Sequence, residues 1–204
     1  MITIDDGVVK VGAVDNIDLL IEDTLELDFT RRTLRDTASN SPHLDTRCIV
    51  GVYDMNGKID GVIDKGVMNR YNKYLEGIFR ELQDHYNYVS VLMSGFTIVK
   101  LLAGNEVAEH SDLELEDEAI KESGYVFNHR IHIPITTNDD VRFKSKGKSF
   151  ALNVGSMYEI DNITKHSVVN GGDTDRIHII IDFMGFNKFY DENLRAIPDE
   201  FFVD

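Results

Sequence analysis

The sequence of 204 residues contains no tryptophan, only three prolines and a single cysteine, Cys48. One cysteine excludes an internal disulfide and any zinc site built from several thiolates. No run of eighteen apolar residues occurs, so no membrane-spanning helix is predicted. Residues 1–6 also lack the cationic and apolar segments of a signal peptide. These absences predict a cytoplasmic protein, whose reducing surroundings would also suit a ferrous cofactor.

Basic residues are also scarce, with 21 lysines and arginines against 36 acidic residues and a net charge of -15. Such a negative field repels phosphate backbones, so a nucleic-acid substrate is not expected. The basic cluster at 144–148 is interpreted as a solvated turn. A hydrophobic content of 42% argues against a disordered chain, and the length suits one domain with a well-buried core.

The chain is predicted to form a single domain over residues 1–204. Residues 1–87 would supply N-terminal strands and a helix that pack on a barrel, and residues 88–183 would form the barrel core with the site. The tail, residues 184–204, carries enough apolar side chains to cover the barrel or to mediate a homodimer. No interdomain linker or low-complexity tract interrupts this organisation.

Two helices are predicted in the N-terminal region. Apolar residues recur at helical spacing between residues 66 and 88, and Asp15 or Asn16 is expected to cap an earlier, shorter helix. Residues 29–42 are polar and irregular and are predicted to form a loop near the site. Residues 113–124 are strongly acidic and are predicted to form an exposed loop or a short helix over the mouth of the site.

The remainder of the chain is predicted to be mainly β. A strand over residues 125–135 is expected to be ended by Pro134 and the turn residues 136–140. The sequence of residues 130–133, Arg-Ile-His-Ile, is repeated at residues 176–179. Because side chains alternate along a strand, the arginine and histidine of each repeat share one face and the isoleucines share the other. This pattern predicts a barrel with a polar lumen and an aliphatic outer surface covered by helices.

Three residues are candidate metal ligands. His110 and Asp112 are two positions apart, so both project to the same side of an extended segment, and His166 follows on a later strand. Two imidazoles and one carboxylate can hold one face of Fe(II) and leave the other positions open for a co-substrate and O2. Without this context, each histidine would be interpreted as a hydrogen-bonded surface side chain.

Three further residues are candidates for binding a co-substrate. Arg176 precedes an aliphatic strand, so its burial requires an anion, which a dicarboxylate such as 2-oxoglutarate or a structural carboxylate could supply. Arg130 and His132 also point towards the predicted lumen, where they could bind the co-substrate or pair with protein acids such as Asp182. His178 is interpreted as a core residue or as a partner of a metal ligand.

The ordered set of motifs resembles the aspartyl/asparaginyl β-hydroxylase-like branch of the Fe(II)/2-oxoglutarate-dependent oxygenases. The resemblance covers residues 96–183, about half of the chain. It is carried by Leu102-Ala103-Gly104 before His110, Arg130-Ile131-His132-Ile133-Pro134-Ile135, Gly155-Ser156-Met157-Tyr158-Glu159-Ile160-Asp161-Asn162, and the segment from His166 through Val168-Val169-Asn170 to Arg176-Ile177-His178-Ile179-Ile180-Ile181-Asp182.

The resemblance implies a mainly β fold with flanking helices, a double-stranded β-helix of the jelly-roll or cupin-like type. It also implies hydroxylation, by Fe(II), 2-oxoglutarate and O2, of a carbon in a peptide or protein side chain or a free amino acid, with release of succinate and CO2. It assigns His110 and His166 to the iron, and it assigns to the 2-oxoglutarate carboxylates Arg130, His132 and Arg176.

The sequence departs from the best-known members of that family at Asp112, where they lack a metal-binding acid. This difference strengthens the iron assignment and weakens the transfer of a substrate. Two rival functions remain open at this point. One is a non-catalytic cupin-like protein that binds a metal or a small anion, and the other is a metal-dependent isomerase or dioxygenase that does not use 2-oxoglutarate.

Overall fold

The computed structural model describes residues 4–30, 41–53, 64–112 and 128–186, which form two helices and ten strands. The acidic segment 113–124 lies outside the described residues, as do most of the predicted loop at 29–42 and most of the tail. The helices are α1 (Ile17–Leu25) and α2 (Lys65–Tyr86). The strands are β1 (Val8–Ala13), β2 (Thr46–Tyr53), β3 (Ser90–Leu101), β4 (Glu106–His110), β5 (Asn128–Thr136), β6 (Val141–Ser145), β7 (Lys148–Phe150), β8 (Ser156–Ile160), β9 (His166–Asn170) and β10 (Arg176–Phe186).

The strands form two antiparallel sheets. The major sheet has the order β1-β8-β5-β10-β3-β2, and the minor sheet has the order β4-β9-β6-β7. An apolar layer that includes Leu101, Val107, Phe143 and Val168 packs between them. This is the predicted double-stranded β-helix, although within the described ranges no hydrogen-bonded strand pair closes the two sheets into a barrel. Strands β1 and β2, from the N-terminal region, form the edges of the major sheet.

The alternation predicted for β5 and β10 is confirmed. These strands are neighbours in the major sheet, and the isoleucines of their aliphatic face are almost fully buried in the same apolar cluster as helix α2. That cluster contains Ile131, Ile133, Ile135, Ile177, Ile179 and Ile181. The polar residues between them face the space between the sheets, where His132, for example, contacts Phe143 of the minor sheet.

Helix α2 is the predicted long helix, and it covers the outer face of the major sheet. The Asp64 side chain caps it by accepting hydrogen bonds from the backbone N–H groups of Gly66 and Val67, at 3.0 and 3.1 Å. Asn16 precedes α1, but its side chain makes no capping bond because its backbone is left-handed, with φ 53° and ψ 40°. In the described part of the chain, no helix is long and apolar enough to cross a bilayer.

Strand β5 ends at Thr136, one residue beyond the predicted end, so Pro134 lies inside the strand and does not end it. Strand β8 pairs only with Ile131 and His132 of β5. On the other side, the register with β10 shifts between Ile177 and His178, opposite Pro134. A proline is tolerated at such a bulge because the pairing there is already interrupted.

A polar cluster lies on the helix-covered face of the major sheet. The Glu159 carboxylate accepts a hydrogen bond from the Tyr86 hydroxyl at 2.5 Å and contacts His129 Nδ1 at 2.7 Å. The Tyr88 hydroxyl lies 2.8 Å from His129 Nε2. Burial, followed by the charge of Glu159, raises the pKa of Tyr86 above its ordinary value of 10. This cluster ties the end of α2 to β5 and β8.

The substitution Leu82→Ala tests the packing of α2 on the sheet. Leu82 has no exposed surface, so the substitution should lower the free energy of unfolding by about 2–5 kcal/mol. Leu19→Ala, on the exposed side of α1 where Leu19 is 54% exposed, is the matched control and should cost less than about 0.5 kcal/mol. Urea unfolding measures both, and equal losses would contradict the packing described.

Candidate active site

The three candidate metal ligands converge at one end of the minor sheet. His110 ends β4 and His166 begins β9, and the two residues are direct partners across these antiparallel strands. Asp112 lies between them, with Oδ1 3.5 Å from His110 Nε2 and Oδ2 3.3 Å from His166 Nε2. One ligand atom from each residue lies within 4.8 Å of the other two. This spacing fits three ligands on one ion with further coordination positions open.

Both imidazoles are oriented by the backbone. His110 Nδ1 lies 2.7 Å from the carbonyl oxygen of Ala108, and His166 Nδ1 lies 2.9 Å from that of Thr164. A carbonyl oxygen can only accept, so each Nδ1 carries a proton and each Nε2 is the ring nitrogen that faces Asp112. This orientation of histidines by a second hydrogen bond is typical of metal ligands.

Asp112 is fixed at both its backbone and its carboxylate. Its N–H donates to the carbonyl oxygen of Asn162 at 3.0 Å, and Arg130 Nη1 lies 2.5 Å from Oδ2. Burial raises the pKa of this carboxyl, but Arg130 and the two histidines outweigh it, so the pKa lies well below 3.8. The carboxylate is therefore ionised and available as a ligand.

Arg130 pairs with protein acids, which is one of the two alternatives left open by its sequence. Its Nε and Nη2 donate to the two carboxylate oxygens of Asp182 at 2.7 and 2.9 Å. With the contact to Asp112, both sides of the guanidinium contact carboxylates. Arg130 thus connects the major sheet to the candidate metal ligands.

Arg176 differs from Arg130 because it is buried without an acidic partner. It is 2% exposed, and among the described residues no carboxylate lies within salt-bridge distance of it. Its Nη2 donates to His178 Nδ1 at 2.7 Å, and its Nε has no hydrogen-bond partner there. Burial lowers the pKa of Arg176 to about 9, so the side chain remains a cation at neutral pH.

His178 is a functional candidate that the sequence interpretation missed. An arginine N–H can only donate, so His178 Nδ1 is the acceptor and its proton is on Nε2. This Nε2–H is buried and has no partner among the described residues. Burial, followed by the charge of Arg176, holds the pKa of His178 well below 6.5, so the ring is neutral. The repeated Arg-x-His spacing was the only signal that could have indicated this role.

His132 lies between the metal ligands and Arg176. Its Nδ1 is buried and has no hydrogen-bond partner in the described ranges. Burial, then Arg176 and Arg130, hold the pKa of His132 well below 6.5. Successive ring centroids, from His178 to His132, Phe143 and His166, lie 5.8, 6.0 and 5.4 Å apart. A row of ring contacts therefore connects the partner of Arg176 to the candidate metal ligands.

Replacement of each arginine by methionine distinguishes their electrostatic roles. Without added metal or 2-oxoglutarate, Arg130→Met should lower the free energy of unfolding by about 3–5 kcal/mol, because it leaves two buried carboxylates without their cation. Arg176→Met removes an uncompensated charge and should leave stability within about 1 kcal/mol of the wild type or above it. Urea unfolding measures both; a larger loss for Arg176→Met would contradict the charge assignment.

The depressed pKa of Asp112 predicts a pH-dependent contribution to stability. A carboxyl whose folded pKa is lowered stabilises the fold above its unfolded pKa of 3.8 and loses that contribution as pH falls towards the folded value. Asp112→Asn should therefore cost roughly 1–3 kcal/mol at pH 7 and progressively less below pH 4. The exposed Asp6→Asn is the control, and a cost independent of pH would disprove the assignment.

No curated protein matches the chain in sequence, but solved structures have a similar fold. An oxidoreductase of the 2OG-Fe(II) oxygenase family from Burkholderia pseudomallei aligns with a TM-score of 0.57 and 16% identity, over 90% of this chain and 88% of that one. The viral collagen prolyl hydroxylase from Paramecium Bursaria Chlorella virus-1, solved with 2OG, aligns with a TM-score of 0.53 and 8% identity, over 88% and 96% of the two chains. AviO1 from Streptomyces viridochromogenes aligns with a TM-score of 0.55 and 13% identity, over 87% and 89%.

The low sequence identities to these structures show only a similar fold, whereas a match to a sequence family identifies the family of this chain. The family described as Aspartyl/Asparaginyl beta-hydroxylase matches residues 78–185, slightly more than half of the chain. The matched region runs from the middle of α2 almost to the end of β10 and contains every candidate site residue discussed above. The chain therefore belongs to the aspartyl/asparaginyl β-hydroxylase family.

Proposed function

We propose that this protein is an Fe(II)/2-oxoglutarate-dependent dioxygenase that hydroxylates a carbon atom and releases succinate and CO2. The observation that carries the proposal is the combination of an open set of two histidines and one carboxylate with a buried arginine that has no acidic partner among the described residues. A metal site alone would serve many proteins. A deeply buried cation beside it suits an anionic co-substrate.

The metal would be held by His110, Asp112 and His166. Their donor set of two imidazole nitrogens and a carboxylate oxygen suits Fe(II) and leaves coordination positions for other molecules. Bound iron would supply the activation of O2 that no amino-acid side chain provides. The protein's contribution is to orient both Nε2 lone pairs and to keep the carboxylate ionised.

The co-substrate would be held by Arg176 and His178. A carboxylate of 2-oxoglutarate would supply the missing counter-ion of Arg176 and accept from its unpartnered Nε–H. The Nε2–H of His178 would be a second donor to the same carboxylate, while His132 would contact the co-substrate nearer the metal. Arg130, which was also assigned to the co-substrate from the resemblance, already contacts two carboxylates, so we assign the distal carboxylate to Arg176 alone among the arginines.

The substrate class rests on the family. We infer a peptide or protein side chain, or a free amino acid, as the molecule that is hydroxylated. The net charge of -15 favours encounter with a cationic or neutral substrate over an anionic one.

Succinate production tests the activity. Anaerobic addition of Fe(II) and 2-oxoglutarate should produce a visible charge-transfer band, and exposure to O2 should release succinate. Mass spectrometry of candidate peptides and amino acids should then show a one-oxygen mass gain. A protein that only binds the metal and the anion would give the band without succinate, and a 2-oxoglutarate-independent enzyme would give neither.

Arg176→Gln tests the co-substrate site. Loss of one partner from a buried ion pair costs about 2–5 kcal/mol, so 2-oxoglutarate should bind at least about 30-fold more weakly. Fe(II) affinity in the absence of 2-oxoglutarate should change little. Arg142→Gln, which removes an exposed arginine of β6, is the matched control. Unchanged 2-oxoglutarate affinity in Arg176→Gln would refute this assignment.

A further inference from the structure

Arg130 and Asp182 form a bidentate ion pair whose position is fixed by the major sheet. The two residues are direct partners across β5 and β10, and the side chains are only 16% and 17% exposed. On its other side Asp182 is paired with Gly95 of β3. A Cβ atom at Gly95 would lie 2.8 Å from Asp182 Oδ2, so the glycine leaves the space that this carboxylate occupies.

The third donor group of Arg130 reaches out of the major sheet to Asp112. Its Nη1 contacts Asp112 Oδ2 at 2.5 Å. The same oxygen is 3.3 Å from His166 Nε2, and Oδ1 is 3.5 Å from His110 Nε2. The guanidinium therefore holds one oxygen of a carboxylate whose two oxygens each lie near a candidate metal-ligating histidine. A carboxylate held in this way is restrained from rotation.

The charges around Arg130 argue against its binding a further carboxylate. The guanidinium carries one positive charge, and the carboxylates of Asp112 and Asp182 carry two negative charges between them. The Nε, Nη1 and Nη2 groups of Arg130 each already contact a carboxylate oxygen, so a further carboxylate would compete with these contacts. Arg176 has no such counter-charge among the described residues.

We propose that Arg130, held by Asp182, is a positioning residue that sets the orientation of Asp112 for the metal and does not bind the co-substrate. This role rests on the proposed metal site of His110, Asp112 and His166. It explains why Asp112, a candidate carboxylate ligand, lies beside Arg130, which the family resemblance alone would assign to 2-oxoglutarate. The major sheet thus orients a ligand that follows a strand of the minor sheet.

Cobalt(II) binding to the full chain, without 2-oxoglutarate, tests the proposal through absorption spectroscopy. Asp182→Asn weakens the hold on Arg130, so Co(II) should bind about 10- to 100-fold more weakly, as for other substitutions of residues that support metal ligands. The ligand-field bands should also change shape, because the coordination of Asp112 changes. Arg130→Lys, which keeps the charge but loses the planar fork, should shift affinity and bands in the same direction.

Glu159→Gln is the matched control for lost stability. Glu159 is a buried carboxylate on the opposite, helix-covered face of the same sheet, so its substitution should destabilise the fold without altering the Co(II) bands. If Asp182→Asn does not fold, Arg130→Lys decides the question.

The outcomes separate this proposal from the function on which it rests. Co(II) affinity and bands that match the wild type in both variants, combined with weakened 2-oxoglutarate binding, would overturn the positioning role and return Arg130 to the co-substrate. In that case wild-type succinate production would still support the oxygenase. Failure of the wild-type chain to bind Co(II) would overturn both.

Discussion

The alternation of side chains along β5 and β10 is the constraint on which the rest of this structure depends. The two strands are central neighbours in the major sheet, and each places isoleucines under the helices and polar residues between the sheets. A register slip of one residue would exchange the two faces, exposing the apolar set to the site and placing arginines under α2. Burial of the isoleucines in the hydrophobic core thus determines which side chains of these strands face the space between the sheets.

Two arginines with the same sequence context have opposite electrostatic surroundings. Arg130 is compensated by two carboxylates, whereas Arg176 is buried beside two neutral histidines. Burial of a cation without a counter-ion lowers the free energy of unfolding. A protein keeps such a buried charge where the charge has a function. The two repeats thus differ in charge compensation despite their shared Arg-Ile-His-Ile sequence.

Periodicity predicted the long helix and the inward and outward faces of β5 and β10, and the family resemblance implied the double-stranded β-helix. The partner of Arg130 could be named only as an alternative, because cross-strand register decides whether Asp182 lies opposite it. Pro134 was expected to help end its strand. The strand continues past it because the pairing with β10 is interrupted at that point by a bulge, which cannot be read from the sequence of β5 alone. The role of His178 depends on which of its nitrogens carries the proton, and that is determined by a contact with Arg176 that spacing alone does not reveal.

The candidate ligands and the candidate anion pocket belong to different sheets. His110 and His166 are in the minor sheet, and Arg176 and His178 are in the major sheet, with an apolar layer between the sheets instead of strand pairing. A molecule that coordinates the ion and also reaches Arg176 would therefore contact both sheets. Its length would have to match the distance between the sheets. A small displacement of one sheet relative to the other would then weaken binding of this molecule, even if the residues within each sheet kept their positions.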